Sequence, residues 1–276
     1  MAFKLYVRRE IADGLDETYQ FEDWADGSSG QDYYDIHCSV IEERETCVPT
    51  MRRVLSGSGK RILESGCGTG RWMAYFERLG QQAYGVDDSR LPLRLAKSRA
   101  PAFRLVRGDA VVSPFKESSF DAVFSSYVAE HFENGPEALF REIHRVLKPN
   151  GLFLVVVPYN NLFRRWITNS ALRCFYAYCR LTGREVAFTE LHFSRAEMNG
   201  YLERSGFAIE HVEPDDFRLP WAKGLCVDLG RFVAPRPYVP GTWELNAFGR
   251  FLAQALQAIS PWIASSGIFY VARAVK

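Results

Sequence analysis

Apolar residues along this chain switch between two periods. From Arg61 to Val157, short apolar runs alternate with segments whose apolar residues recur every three to four positions. Arg61–Glu64, Ala83–Val86, Phe103–Val106, Phe120–Ser125 and Leu152–Val157 read as strands. Arg71–Leu79 reads as a helix, with Trp72, Tyr75, Phe76 and Leu79 on one face and Gly80 at its end. Leu91–Ala100 reads as a second helix, with Ser89 placed to cap it, Pro92 in its first turn and Pro101 as its stop. Pro136–Leu147 is a third, with Leu139, Ile143 and Val146 facing inward, and Lys148–Gly151 forms a turn after it. Apolar strands alternating with helices imply a mostly parallel sheet covered on both faces. Right-handed crossovers make a doubly wound layout the economical topology.

Outside this frame the pattern is weaker. Residues 1–58 are expected to form an N-terminal extension and cap, with an acidic, Gly-rich loop over Asp13–Gly30 and a helix over Ile41–Leu55. Residues 59–276 are expected to form a single domain, with inserts at 159–192 and 213–267 capping the substrate side. The alternation resumes at the capping box Ser194-Arg195-Ala196-Glu197, and Gly206 closes the helix that follows. Phe207–Val212 and Ile268–Val275 read as the last two strands. Within the first insert, Phe163–Arg184 draws as a helix. One stripe holds Arg165, Asn169, Arg173, Tyr176 and Arg180; the other holds Trp166, Ile167, Cys174, Ala177, Tyr178 and Leu181. Three readings are open: an amphipathic helix docked on the core, a lid over an apolar acceptor, or a helix in peripheral membrane contact through 163–184.

Composition narrows the class. A net charge of +1 lacks the basic bias of a nucleic-acid binder, and no such partner is expected. The six cysteines include no CxxC pair and no histidine cluster stands nearby, so no metal is expected and the thiols read as reduced and cytoplasmic. Met1–Glu10 has no apolar core segment of the signal-peptide kind. Arg250, Gln254, Gln257 and Pro261 interrupt the apolar stretch at 247–272, so it fails as a membrane span.

The chemistry concentrates at Ile62-Leu63-Glu64-Ser65-Gly66-Cys67-Gly68-Thr69-Gly70, between a predicted strand and a predicted helix. Glycines there let backbone approach a ligand, and the helix N-terminus beyond offers free N–H groups. Dinucleotide binders need G-x-G-x-x-G, but the last position here is Arg71. Glu64, at the strand end, suits an ammonium group better than a pyrophosphate. Asp87 stands about 20 residues on, where a ribose-binding acid belongs, with Asp88 beside it as a weaker candidate. Asp109, followed by Ala110, stands at the tip of the third strand and could accept from an adenine amino group.

With these pieces, and with FDAVFSSYVAEHF and LKPNGLFLVVVP after them, the chain resembles the class I S-adenosylmethionine-dependent methyltransferases, in particular the small-molecule group similar to quinone-biosynthesis methyltransferases. The resemblance covers 61–158, 193–212 and 268–275, roughly half of the chain. It implies a doubly wound α/β, Rossmann-like sheet of seven strands, mostly parallel, with the last strand antiparallel between the fifth and sixth. It implies S-adenosylmethionine as cofactor. Glu64, Gly66 and Gly68 would surround the methionine moiety, Asp87 the ribose, and Asp109 and Ala110 the adenine, with Cys67 also counted among the cofactor-binding residues. Ser125, Ser126 and Tyr127 would line the pocket beside the sulfonium. The Asn- or Asp-Pro-Pro-aromatic motif of amide-like nitrogen methylators is absent; Ser125-Ser126-Tyr127-Val128 stands in its place.

The implied function is methyl transfer to a small, partly apolar metabolite. Such a transfer needs alignment first, and a base only if the nucleophile starts protonated. His131 and His192 are the candidate bases, with Glu130 and Glu190 as polar neighbours. Two alternatives stand beside it: a nicotinamide-dependent oxidoreductase, and a module that binds S-adenosylmethionine without turnover. Oligomeric state is open.

Overall fold

The computed structural model describes residues 2–8, 41–216, 218–233 and 243–276. The expected loop at Asp13–Gly30 lies outside the described residues. In chain order the main elements are β1 (Phe3–Arg8), α1 (Val48–Val54), β2 (Arg61–Ser65), α2 (Arg71–Arg78), β3 (Gln82–Asp87), α3 (Arg90–Arg99), β4 (Arg104–Arg107) and β5 (Phe120–Ser126). They continue with α4 (Glu137–Val146), β6 (Leu147–Pro158), α5 (Asn169–Leu181), β7 (Val186–His192), α6 (Arg195–Arg204), β8 (Phe207–Asp215), α7 (Lys223–Leu229), α8 (Ala247–Ile259) and β9 (Gly267–Ala274).

The seven-stranded sheet runs β4-β3-β2-β5-β6-β9-β8. Pairs β2–β3, β3–β4, β2–β5 and β5–β6 are parallel, while β9 is antiparallel to both β6 and β8. The expected doubly wound sheet, with its last strand reversed between two others, is therefore present. Period-2 alternation explains how it is covered. Leu63, Val123 and Phe153 face one core layer with Leu139, Phe140 and Ile143 of α4 and Leu202 of α6. Ile62, Phe124 and Leu154 face the opposite layer with Met51 of α1, Trp72 and Phe76 of α2 and Ala96 of α3. Phe124 is fully buried, 4.8 Å from the Trp72 ring and 5.6 Å from that of Phe76. Truncating it to alanine would cost about 3–5 kcal/mol.

Several elements depart from expectation. The helix over Ile41–Leu55 is broken at Glu45–Cys47 before Pro49 opens α1. The Lys148–Gly151 turn is absorbed into β6 as a bulge: Phe120 pairs with Leu147, Ala122 pairs with Leu152, and Asn150 takes φ 63°. Ser89 stands before α3 but its side chain caps nothing. The Ser194 capping box forms as expected, with Ser194 N donating to Glu197 Oε2 at 2.9 Å.

Two strands were not anticipated. β1 and β7 pair antiparallel in a separate two-stranded sheet that sets Phe3 against His192. The helix of the first insert forms, led by a π-helical turn over Arg164–Thr168, but its apolar stripe does not pack inward. Asn169 is buried, and Tyr176 takes the Tyr6 N–H on its phenol oxygen at 2.9 Å. The apolar stripe of Trp166, Ile167, Cys174, Tyr178 and Leu181 is the exposed one. Docking through that stripe is thus corrected. Buried Arg164, paired with Asp228 of α7 at 2.9 Å, anchors the turn from its other side. The second insert holds α7 and α8 around a small core of Leu225, Cys226, Val233, Leu245 and Ala253. Among the described residues, no helix is long and apolar enough to cross a membrane.

Candidate functional site

Because β2, β3, β4, β5 and β6 are parallel, their carboxyl ends share one edge, where open α/β sheets place ligands. The loop after β2 occupies the middle of that edge. Gly66 takes φ 76°, and a Cβ there would lie 2.2 Å from Cγ2 of Val128. Its N–H and that of Cys67 both donate to Val86 O, at 2.8 and 3.1 Å, which clamps the turn onto β3. Gly68 takes φ 48°, and a Cβ there would meet nothing within 4 Å. One glycine lets the loop pack; the other leaves backbone open to a ligand.

Asp87, at the tip of β3, accepts from Gly68 N at 2.8 Å and from Ser89 N at 2.9 Å. Each carboxylate oxygen retains a lone pair for a further donor. Asp88 is exposed beside it and accepts from the Ser89 hydroxyl at 3.1 Å. Glu64 is buried beneath the loop and accepts from Met73 N at 2.9 Å. Burial pushes its carboxyl well up, against the pull of Arg71. Cys67 is buried too, its thiol pushed up by burial and then by Glu64. Past β4, Asp109 accepts from Val111 N at 2.8 Å, which shapes the turn that carries Ala110.

At the tip of β5, Ser125 is fully buried with its hydroxyl unpartnered, and Ser126 is half-buried. Tyr127 follows at φ 56°, held by its N–H to Val156 O at 3.0 Å. That left-handed backbone is strained for a non-glycine residue. The Lys223 ammonium, from α7, sits 3.7 Å from the centre of the Tyr127 ring. Burial raises the Tyr127 phenol, and Asp215, Asp216, Glu45 and Glu130 add to it. Burial lowers the Lys223 ammonium, resisted by Glu45, Glu130, Asp216 and Glu190.

The two candidate histidines part company here. His131 is exposed and its Nδ1 lies 3.2 Å from Thr189 O. His192 is buried; its Nε2 lies 2.7 Å from Glu190 Oε1, and its Nδ1 is buried without a partner. Burial pushes Glu190 up, but the hydrogen bond and charge of His192, with His131 and Lys223, outweigh it and leave the carboxyl below its ordinary value. Glu130 is buried with Oε2 unpartnered, and burial, aided by Glu190, pushes it well up. The structure thus gathers Tyr127, Glu130, Glu190 and His192 and leaves His131 at the surface.

Sequence reasoning missed Lys223, Glu45, Asp215 and Asp216. Glu45 pairs with Arg71 at 3.0 Å, and Asp215 accepts from the Thr46 hydroxyl at 2.6 Å. Burial and Glu45 raise Asp215 to about 7. Donor atoms of Glu45, Cys47 and Asp215 all lie within 4.8 Å of one another. Only the acid pair closing β8 carried a signal, since consecutive carboxylates at a strand tip lie where ligands bind.

This sheet order, with the glycine loop after its central strand and an acid at the tip of the next, is the arrangement shared by the fold of class I S-adenosylmethionine-dependent methyltransferases. Residues 63–155 match the model of a methyltransferase domain. The chain is 36% identical over 118 residues to an uncharacterized methyltransferase of Synechocystis, covering 42% of this chain and 54% of that protein. It is 33% identical over 133 residues to demethylmenaquinone methyltransferase of Geobacillus kaustophilus, covering 44% of this chain and 56% of that one. It thus spans about half the length of the curated relatives it matches. Among solved structures, an S-adenosylmethionine-dependent methyltransferase from Mesorhizobium loti aligns over 82% of this chain and 97% of its own, with TM-score 0.53 at 22% identity. Geranyl diphosphate methyltransferase in complex with sinefungin aligns over 79% and 72%, with TM-score 0.54 at 16% identity. At these identities the structures speak for the fold.

Proposed function

We propose that the chain transfers a methyl group from S-adenosylmethionine to a small, partly apolar acceptor. The carrying observation is the pairing of Gly68, open to a ligand, with Asp87, whose carboxylate is already oriented by the Gly68 N–H. When bound, S-adenosylmethionine supplies an electrophilic methyl group on a sulfonium. Glu64 with Gly66, Cys67 and Gly68 would hold its methionine end, Asp87 its ribose with Asp88 alongside, and Asp109 and Ala110 its adenine. Ser125, Ser126 and Tyr127 would lie beside the reactive end, where the buried, unpartnered Ser125 hydroxyl awaits an acceptor or donor.

His192 is the favoured base. In its neutral form, with the Nε2 proton donated to Glu190, the ring would have a free lone pair on Nδ1 in a buried setting. His131, turned to Thr189, serves that reading less well. The first and second inserts supply Glu190, His192 and Lys223, which supports their role as a cap on the substrate side. Demethylmenaquinone methyltransferase among the relatives supports an acceptor that is small and partly apolar. Nicotinamide chemistry is disfavoured, because Arg71 opens α2 where the last glycine of a dinucleotide loop would stand.

Calorimetry on the purified protein tests the reading. S-adenosylmethionine and its demethylated product should bind, and nicotinamide dinucleotides should not. Binding of a nicotinamide dinucleotide alone would overturn it. Binding without turnover, against a panel of phenolic, quinol and carboxylate acceptors, would favour the non-catalytic module.

A further inference from the structure

Large apolar side chains are not spread evenly over the surface. Ten of the thirteen exposed ones among the described residues lie within the two inserts. On α8 they follow helical spacing. Gly249 and Ala253 face the small core of the second insert, with Leu252 and Leu256 packed against it, while Phe248, Phe251, Ala255, Ala258 and Ile259 form a second, exposed apolar face. Phe251 is 67% exposed and Ile259 74%. On α5 and its leading turn, the exposed stripe carries Trp166 at 77% and Leu181 at 83%. Contiguous apolar surface of this kind is uncommon on proteins without a partner for it.

Charge says what that partner is. Residues 159–184 and 245–267 contain no aspartate or glutamate, although the chain holds 33 acidic residues in 276. Arginines remain in both: Arg165, Arg173 and Arg180 are exposed along α5 and its leading turn, and Arg250 is exposed on α8. A protein partner built from an ordinary surface would require no such exclusion of acids. A bilayer with anionic headgroups does, because every carboxylate near it is repelled while arginines are drawn in. Tryptophan, tyrosine and phenylalanine at the rim of an arginine-bearing helix are the side chains that settle at a headgroup boundary. The two helices also belong to linked segments. Arg164 joins the first insert to Asp228 of the second, and Asn246, which caps α8, donates to Phe232 O at 3.1 Å just past α7.

We propose that the exposed apolar faces of α5 and α8 together form a docking surface for a bilayer carrying anionic headgroups. The proposal holds whichever molecule is methylated, and its test uses no turnover. The full chain is sedimented with vesicles of phosphatidylcholine alone and with vesicles made half of phosphatidylglycerol. It should partition onto the anionic vesicles, less so as salt is raised. Trp166→Ser and Phe251→Ser should each weaken partitioning about tenfold, and Arg165→Glu with Arg180→Glu by more, at about fivefold per charge removed. Circular dichroism melts of all variants should match the parent, since each side chain is exposed. No partitioning onto anionic vesicles, or partitioning indifferent to these variants, would overturn the proposal. Loss in one helix alone would overturn the joint surface, and so would a stable dimer that competes with vesicles.

Discussion

The loop of residues 66–70 and the polar cluster around Tyr127 meet at Val128, yet they are held in place differently. The loop is shaped by backbone: φ values only glycine adopts freely, and N–H groups bonded to Val86 O and to the Asp87 carboxylate. The cluster is shaped by side chains from separate elements, with Glu130 from the turn after β5, Glu190 and His192 from β7, and Lys223 from α7. The first is rigid and needs few residue identities. The second is titratable and depends on burial to set the charge of each member. In the proposed reaction the first would bind a constant ligand, and the second would be free to vary with the acceptor.

That contrast can be broken by experiment. The largest effect is expected at His192. His192→Ala should lower transfer of labelled methyl to an acceptor by about 10²–10⁴-fold while leaving the S-adenosylmethionine dissociation constant unchanged. His131→Ala should change neither; if it alone abolishes transfer, the assignment of the base moves to the surface histidine. Next is Asp87→Ala, expected to cost roughly 2–4 kcal/mol of cofactor affinity in calorimetry, as two charge-assisted bonds are lost. Unchanged affinity would remove Asp87 from the site.

Asp215 gives the pH test. Its carboxyl is raised to about 7 in the folded chain, above the unfolded value. As pH rises from about 4, the unfolded chain ionises first, so the native state loses stability progressively up to about pH 7. Asp215→Asn keeps an acceptor for the Thr46 hydroxyl and removes that loss. It should match the parent near pH 4 and exceed it by roughly 1–4 kcal/mol above pH 7, measured by urea unfolding. A variant weaker than the parent at high pH would show that the charge at 215 is stabilising. The smallest effect is expected from Glu130→Gln. Burial pushes this carboxyl well up, toward its neutral form, so the amide is expected to alter stability by no more than about 0.5 kcal/mol in the same urea unfolding measurement.

The same contrast explains what could be read from the chain. The loop was legible because its parts are close in sequence: Glu64, Gly66 and Gly68 fall within five residues, and Asp87 lies one βαβ unit on. Core strands were legible because period 2 repeats in each. β1 and β7 escaped because they stand outside the βαβ alternation and pair with each other across most of the chain, and pairing at that distance leaves no local trace. α8 lay within the apolar stretch at 247–272, whose polar breaks excluded a membrane span without marking where a helix begins or ends. The outward stripe on α5 defeated the usual rule that apolar faces pack inward. There Arg164 and Tyr176 settle the orientation with polar contacts that no periodicity encodes. Lys223 is a lone lysine at a helix start, and only the fold places it over Tyr127.

The pairing of β1 with β7 has a consequence for the order in which the chain is made. Phe3 meets His192 189 positions later in the chain, which at about 5–20 residues per second is a wait of roughly 10–40 s. β2, β3, β4 and β5 are complete by Ser126, so the glycine loop has its scaffold while β1 is still unpaired. A nascent chain stalled between these two points would therefore carry the loop and the Asp87 tip without His192 or the rest of β7. Translation itself thus separates the two halves of the site in time.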